Sequence, residues 1–447
     1  CLCHLPQTSL PMAVLDADDG VLSPFMAVVA VLKGIVGLCA LALPAALAKT
    51  NLVLGLCLLV IVAFAEGLGT YRLAECSMKL EQSGKQVKSA QGFGPLGQVS
   101  LEVFGVSGYR LCAINVIFAQ IGLAFAYTRT VANTLHQIWG LPMNWLFLGL
   151  GILLCLQSTI EKMKGVAWLS IVGLLAFLCI VLCLLRFGIE EIQAGDAVFQ
   201  DVWFPVQFSG TGACLGPAIS AFEGVVVSQH VFAQMKLQDP KPFGTVIIIS
   251  HVISLLLFAF IGIFGLGTYG QQVEVMIFDN LPHKALEVKL CKYTIVIVVA
   301  ITFQLQMFPV FSISDALVRS MVNGGDPLSD SPGLAEEIVN RDGEDRNEEL
   351  SPLKSPRSET SSGQNSYPLV LLTRWFLVIL TVMMGAVVTS MSALKLVGGI
   401  FFAYCSMILP GAAHLRLNSG ELGFLEFSSD IFLIGLGLVA VILTLIS

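Results

Sequence analysis

The chain has 447 residues, of which 55% are hydrophobic and only 12% are charged, and its formal net charge at pH 7 is −7. An average soluble domain carries about 25% charged residues, so this composition excludes a water-soluble globular protein. It predicts an all-α polytopic membrane protein, for which we expect a lipid bilayer and no nucleic acid as partner.

Apolar runs long enough to cross a bilayer recur along the whole chain. A spanning helix needs about 20 mostly apolar residues, and this window predicts about 11 transmembrane helices. They cover residues 25–48, 51–73, 104–133, 143–159, 164–186, 213–235, 244–268, 290–318, 369–391, 394–414 and 424–446. The predicted organisation is an N-terminal cytosolic segment (1–24), helices 1–8 (25–320), a polar cytosolic loop (321–367) and helices 9–11 (368–447).

The orientation follows from where lysine and arginine lie. These residues are more frequent in the loops and helix ends that share a side with the N-terminus. Cytosolic loops carry such an excess, so we expect a cytosolic N-terminus and a C-terminus on the outer or lumenal side. The membrane is left open between the plasma membrane and a vacuolar or lysosomal membrane.

The first and sixth predicted helices are interrupted by residues that disfavour a helix. The first contains Gly34, Gly37 and Pro44, and the sixth contains Pro217 and Gly224. Backbone groups freed at membrane depth are tolerated only where protein or a water-filled cavity meets them. A pair of such helices at matching places in two halves is the sequence mark of a transporter site. The spacing fits a five-plus-five inverted repeat, whereas the alternative is glycine that only permits close helix packing.

Two carboxylates stand inside apolar helices, Glu223 beside Gly224 and Glu66 in the second helix. A charge in the membrane is costly, so such a residue is usually functional. Glu223 either takes up a proton for coupling or gating, or forms a structural ion pair with Lys33 of the first helix. No clustered metal ligands, nucleophile elbow or phosphate loop is present in the sequence, so we expect no enzyme, no metal and no cofactor.

Five stretches in chain order resemble the amino acid/auxin permease family, and most closely its proton-coupled amino acid transporter branch. The stretches are LKGIVGLCALALPAALAK in the first helix, AQIGLAFAY in the third, AFEG followed by QMKLQDPKPF in and after the sixth, TFQLQMFP in the eighth and LVGGIFFAYCSMILPGAAHL in the tenth. Cys39 stands where the family usually has a second glycine, and Gln304 where it has a proline. The resemblance implies the LeuT-type fold with broken helices 1 and 6, and a secondary active transporter of amino acids.

In such a site the exposed amides around Gly34 to Leu38 would bind the substrate carboxylate, and Gly37 would allow close approach of the backbone. Carbonyl groups near Ser220 to Phe222 would receive the amino group, with Phe222 as a lid or as plain packing. The remaining predicted lining residues are Gln120, Gly224, Thr302 and Gln306. The alternative for the polar ones is hydrogen bonding between helices.

The resemblance also bears on the coupling ion, which we expect to be a proton. Glu66 falls where the proton-coupled branch carries a histidine that handles the proton. Either Glu66 replaces it as the coupling residue or proton coupling is lost, and sodium coupling then remains an alternative. A second alternative is an amino acid sensor on the same fold that signals through loop 321–367. That loop is rich in Ser, Pro and Glu, which predicts disorder and a substrate for a regulatory kinase or partner.

Overall fold

The computed structural model describes residues 22–83, 94–159, 166–195, 199, 201–235, 237, 239–282, 285–323 and 363–447. Within these residues the chain is helical and contains no strand, as the composition predicts. Eight helices are long and apolar enough to cross a membrane, and a bent pair of shorter helices raises that number to nine in the described part of the chain. The predicted N-terminal segment and most of loop 321–367 lie outside the described residues.

The helices follow one another in chain order. They are α1 (Pro24–Ile35), α2 (Leu43–Leu47), α3 (Leu52–Gln82), α4 (Gly94–Trp139), α5 (Met143–Gln157), α6 (Val166–Ala194), α7 (Thr211–Phe222), α8 (Val225–Met235), α9 (Lys241–Tyr269), α10 (Leu286–Asn323), α11 (Gly363–Val387), α12 (Ser390–Leu396), α13 (Leu409–Leu417) and α14 (Phe424–Ile446). Each of the predicted spans falls on one of these helices or pairs. The count of 11 spans and the inverted repeat stay predictions, since α5 is only 15 residues long.

The first span is broken where the sequence predicts a break. Helix α1 ends at Ile35, Gly37 has extended backbone angles, and a 3-10 turn (Leu38–Ala42) leads into α2. The two parts of the span meet at an angle of 48°. Pro44 lies in the first turn of α2, where a missing amide hydrogen costs nothing. The break therefore lies at Gly37 and not at the proline.

The sixth span is broken between α7 and α8. Glu223 follows the last residue of α7 with φ −59° and ψ 125°, which are not helical angles. Helix α8 then begins at Val225, directly after Gly224. Pro217 lies inside α7 and does not mark the break. The opening of the backbone therefore coincides with the intramembrane glutamate.

Two other helices differ from their predicted bounds. Helix α3 continues past the predicted end at residue 73 to Gln82, because charged residues of its last turns are satisfied by neighbouring helices. Helix α4 contains a kink at Gly105, whose φ of 70° separates an N-terminal piece from the third span. Glycine is the residue that adopts this left-handed angle at little cost. Of the candidate spans, α4 is the most buried and α11 and α14 are the least, so α4 lies in the centre of the bundle.

The tenth span has an irregular middle. Between α12 and α13 the backbone forms two π-helical stretches, Val397–Phe402 and Tyr404–Ile408. Such stretches insert extra residues into a helix and are frequent at functional sites. Gly398 faces the backbone of Gly216 so closely that a Cβ atom would overlap it. The π-helical segment is thereby held against α7 and α4.

Candidate functional site

The two broken spans touch each other at their breaks. A Cβ atom on Gly224 would lie 2.8 Å from Cγ1 of Ile35, the last residue of α1. A Cβ atom on Gly34 would lie 2.9 Å from the side chain of Val227 on α8. Both glycines are therefore required by close approach of α1 and α8. The close-packing interpretation holds for these two positions.

Gly37 differs from the other two predicted glycines. A Cβ atom there would meet no atom within 4 Å, and its φ of −145° is open to any residue. Packing and backbone strain therefore do not explain this glycine. The space beside it is what close approach by a ligand would need, and buried Leu38 follows as the first residue of the 3-10 turn.

Glu223 lies at the edge of a cavity where three spans meet. The cavity has a volume of about 10 Å³ and lies between α4, the start of α8 and the π-helical segment of the tenth span. Its lining residues are Val116, Ala119, Gln120, Glu223, Val225, Val226, Phe402, Cys405 and Ser406. A single water molecule needs roughly 10–15 Å³ measured in this way. The cavity therefore has room for about one water molecule and not for an amino acid.

Glu66 lies behind this cavity and is completely buried on α3. Its Oε1 atom is 2.7 Å from the hydroxyl of Ser406, which lines the cavity. The same hydroxyl is 2.7 Å from the carbonyl oxygen of Phe402. Among the described residues, Oε2 of Glu66 has no hydrogen-bond partner. A buried carboxylate with one hydrogen bond is poorly stabilised, so this arrangement suits a group that gains and loses a proton.

The structure brings the two predicted carboxylates together. Ser406 connects the two, because its hydroxyl contacts Glu66 and it lines the cavity together with Glu223. The predicted ion pair between Lys33 and Glu223 is not formed among the described residues. Glu223 lines the cavity instead. Of the two alternatives for this glutamate, proton uptake stays a prediction.

Only some of the predicted polar lining residues lie at the cavity. Gln306 of α10 donates a hydrogen bond to Gln120 of α4, and Gln120 lines the cavity. Thr302 donates to the carbonyl oxygen of Val298 within its own helix, at 2.8 Å. Gln120 and Gln306 thus form the interhelical bond that was the alternative reading, while Gln120 also reaches the cavity.

Ser220 and Phe222 point away from the cavity. The Ser220 hydroxyl donates to the carbonyl oxygen of Leu394 on α12 at 3.0 Å. The ring of Phe222 is 1% exposed and packs against His251 and Phe258 of α9, with centroid distances of 6.3 and 4.9 Å. In this conformation Phe222 is a packing residue and covers no site.

Sequence reasoning missed Ser406, the residue that connects the two carboxylates. A serine in an apolar helix carries no distinctive signal, and the π-helical backbone that aims it at α3 is not readable from the residues. It also missed a group of charged side chains on α3, α13 and α14. A usable signal existed there, since Asp430 is a carboxylate that follows Ser428 and Ser429 directly before the long apolar part of α14.

A further polar group lies outside the spans, in the connection between α9 and α10. Asp279 ends a 3-10 turn (Ile277–Asp279), and its carboxylate is 3.9 Å from Nζ of Lys292, which donates to Gln137 at 2.6 Å. Burial raises the pKa of Asp279 to about 6, although Lys292 and Gln137 favour the charged form. This carboxyl therefore titrates in a mildly acidic range.

Comparison with known proteins gives a consistent result. A sequence model of the family described as Transmembrane amino acid transporter protein matches residues 20–447. Amino acid transporter ANT1 of Arabidopsis thaliana is 25% identical over 425 residues, which cover 92% of this chain and 88% of that protein. Amino acid transporter AVT3C of the same plant is 25% identical over 440 residues, covering 93% and 88%. Vacuolar amino acid transporter 4 of Saccharomyces cerevisiae is 26% identical over 245 residues, covering 51% of this chain and 33% of that protein.

Proposed function

The chain belongs to the transmembrane amino acid transporter protein family, and on that premise we propose that it moves amino acids across a membrane by alternating access, in symport with protons. One observation carries the proposal. The breaks of the first and sixth spans meet beside a cavity that holds one intramembrane carboxylate and lies next to another.

The substrate carboxylate binds at the break of the first span. The backbone at Gly37 is extended and has open space beside it. The amides that follow begin the 3-10 turn that leads into α2, so their N–H groups have no partner in a preceding turn. The aligned peptide dipoles of this half-helix favour a negative group at that end. The substrate amino group is then directed toward the break of the sixth span, where Glu223 and the last carbonyl groups of α7 lie.

Glu66 holds the coupling proton. The Ser406 hydroxyl has one hydrogen but two acceptors at 2.7 Å, Glu66 and the Phe402 carbonyl. Both contacts are satisfied at once when a protonated Glu66 donates to Ser406 and Ser406 donates to Phe402. When Glu66 is ionised, the two acceptors compete for one hydrogen. The protonated state therefore fits the observed geometry best.

Glu223 exchanges the coupling proton with Glu66. Two like charges in a low-dielectric site disfavour each other, so one proton shared between the two carboxylates is more stable than two ionised groups. A substrate ammonium group near Glu223 would stabilise the ionised form of Glu223 and leave the proton on Glu66. Substrate binding and proton binding are thereby made favourable together, which is the requirement for symport.

The transport cycle requires the helices around the cavity to separate. The volume of about 10 Å³ beside Glu223 is too small for an amino acid, so the observed conformation is closed around the site. Opening must move α1 and α8 relative to α4 and the tenth span, since the breaks supply the flexible points. The glycine contacts between α1 and α8 keep these two half-helices together as they move.

The vacuolar names among the relatives support a vacuolar membrane as the location, and the excess of lysine and arginine on its side supports a cytosolic N-terminus. The test is uptake of a panel of labelled amino acids into proteoliposomes under an imposed pH gradient, a sodium gradient or neither. The proposal predicts accumulation under the pH gradient alone. Accumulation that needs the sodium gradient would show that sodium, and not the proton, is the coupling ion. Binding without any uptake would favour a sensor.

A further inference from the structure

A second group of titratable side chains is buried between α3, α13 and α14. Arg72 and Glu75 of α3 lie against His414 of α13 and Asp430 of α14. Arg72, His414 and Asp430 are 6%, 4% and 0% exposed, and the side chain of Glu75, at the edge of the group, is 23% exposed. These four residues, here called the buried quartet, take no part in the site described above.

His414 occupies the centre of the buried quartet. Its Nδ1 atom is 2.6 Å from Oδ2 of Asp430. This is the one hydrogen bond to the Asp430 carboxylate that the described residues provide, because Arg72 Nε lies 3.1 Å from Oδ1 without hydrogen-bond alignment. A buried carboxylate needs such a donor, so Nδ1 carries a hydrogen in every state of this arrangement.

The other ring nitrogen lies between a donor and an acceptor. Nε2 of His414 is 3.4 Å from Nη1 of Arg72 and 3.5 Å from Oε2 of Glu75. A neutral ring would accept from the Arg72 guanidinium through Nε2, and a protonated ring would donate to the Glu75 carboxylate. Both protonation states of this nitrogen therefore have a partner at nearly the same distance.

The net charge of the buried quartet depends on the state of His414. Arg72 brings one positive charge, and Glu75 and Asp430 bring two negative charges. With a neutral imidazole the group has an excess negative charge, and with an imidazolium it is balanced.

The groups around the buried quartet do not supply the missing positive charge. Lys79 of α3 is engaged with Asn418 and Glu421, at 2.8 and 2.6 Å. Arg416 of α13 lies over the ring of Phe104 at 5.5 Å.

The other titratable neighbours are uncharged or acidic, or lie on the third span. Tyr71 and Cys76 of α3 interact with Glu75, and Glu426 of α14 accepts from the amide of Gly423 at 3.1 Å. Helix α4, which also packs on α13, carries Glu102 and Arg110 in its N-terminal part. Besides Arg72, His414 is the member of the buried quartet that lies within 3.5 Å of both carboxylates.

From this geometry we propose that Nε2 of His414 is a second proton-binding site, which exchanges its partner between Arg72 and Glu75 as the proton binds and leaves. The inference rests on the proposed function in assigning this proton to the transport cycle.

Glu66 and Glu75 are on the same helix and are separated by roughly 13 Å along its axis. Ser406 and His414 are likewise both on the tenth span. The buried quartet therefore lies between the Glu66 site and the end of α3, on the path toward one face of the membrane.

The direct test is nitrogen NMR of protein labelled with ring-15N histidine in lipid nanodiscs, titrated between about pH 5 and 8, the range in which histidine usually changes charge. The difference between wild type and His414→Gln isolates the His414 signals. We expect both ring nitrogens to be protonated at low pH and Nε2 alone to lose its proton as the pH rises. A His414 ring that stays in one protonation state over this range would overturn the proposal.

Glu75→Gln is the second variant, in case His414→Gln fails to fold. It leaves the ring without an anionic partner at Nε2, so the doubly protonated signal should be weakened by at least half at the pH where wild type shows it. An unchanged signal would contradict the partner exchange. His136→Gln is the control, since this exposed histidine lies at the end of α4 with its Nδ1 2.7 Å from the Leu141 carbonyl oxygen.

A transport measurement separates this inference from the proposed function. If wild type accumulates amino acids, His414→Gln should still transport them but lose one titrating group from its rate-against-pH curve, and His136→Gln should match wild type. A wild-type pH profile in His414→Gln would exclude the site from the cycle. If wild type accumulates nothing, the proposed function fails, while the NMR titration still decides whether His414 binds a proton.

Discussion

The Ser406 hydroxyl lies 2.7 Å from Oε1 of Glu66 and joins a buried carboxylate on the second span to a cavity on the tenth. This contact depends on two local features. The π-helical stretch Tyr404–Ile408 directs Ser406 toward α3. Gly69 of α3 lets the Ser406 backbone come so close that a Cβ atom would overlap its carbonyl oxygen.

Replacing Ser406 with alanine tests this contact. Ser406→Ala removes one buried hydrogen bond, which typically contributes about 1 kcal/mol of stability, and leaves both oxygens of Glu66 without a partner among the described residues. We expect the variant to fold, with a modest loss of thermal stability and a changed dependence of uptake on pH. The measurement is initial uptake rate against external pH.

Ser77→Ala is the matched control. Ser77 is equally buried, lies on the same helix as Glu66, and donates to the carbonyl of Leu73 at 2.9 Å. It should lose comparable stability without altering the pH profile. If both serine variants show the same uptake curve, Ser406 has no specific role in proton handling.

Alanine substitutions at Gly224 and Gly37 should distinguish a glycine needed for helix packing from a glycine needed for substrate binding. Gly224→Ala places a methyl group 2.8 Å from Ile35, and overpacking of this kind typically costs about 1–3 kcal/mol. Gly37→Ala meets no atom within 4 Å, so it should fold as wild type does. We expect a lowered melting temperature for Gly224→Ala, and an unchanged one but a raised KM for Gly37→Ala.

Melting curves in detergent and concentration-dependent uptake provide these two measurements. A Gly37→Ala variant with wild-type KM would remove the backbone at residue 37 from the substrate site. A Gly224→Ala variant with wild-type stability would show that α1 and α8 are free to move apart at this contact.

The raised pKa of Asp279, which lies outside the spans, predicts that the stability of the protein depends on pH. Burial raises its pKa from 3.8 to about 6, so the native protein binds this proton more tightly than the unfolded chain does. The stabilisation is fully present below about pH 4 and is lost as the pH rises through 6. Between pH 5 and 7.5 the loss amounts to about 1.4 kcal/mol.

Asp279→Asn should remove this part of the pH dependence. We expect the melting temperature of wild type to fall more between pH 5 and 7.5 than that of Asp279→Asn. Glu274→Gln is the control, because Glu274 is exposed on the same connection and makes only the smallest contribution to the raised pKa of Asp279, so most of the difference should remain. Equal changes in wild type and Asp279→Asn would show that the Asp279 carboxyl does not titrate in this range.

Much of the fold could be predicted from the sequence because lipid imposes simple rules. The predicted spans fall on helices, and the breaks occur beside Gly37 and Gly224. The prolines were less informative than expected. Pro44 begins a helix and Pro217 lies within one, because the context of each residue decides whether its missing amide matters.

The candidate site was predicted less completely, because contacts between helices depend on their rotation. Glu223 and Gln120 line one cavity and Glu66 contacts its Ser406, but Ser220 and Phe222 contact other helices. Lys33 is not the partner of Glu223, since the break turns this glutamate toward the cavity. Ser406 and the buried quartet required the irregular backbone of the tenth span and the packing of α14, which residue patterns do not reveal.

In the proposed mechanism the Glu66 and Glu223 carboxylates couple amino acid movement to protons. It is tested most directly by pH-driven amino acid accumulation in proteoliposomes containing wild type, Glu66→Gln or Glu223→Gln, with exchange of labelled for unlabelled substrate as the second assay. We predict that wild type accumulates substrate under the pH gradient, that both variants lose this accumulation, and that at least one retains exchange. Accumulation at the wild-type level in both variants would contradict the account.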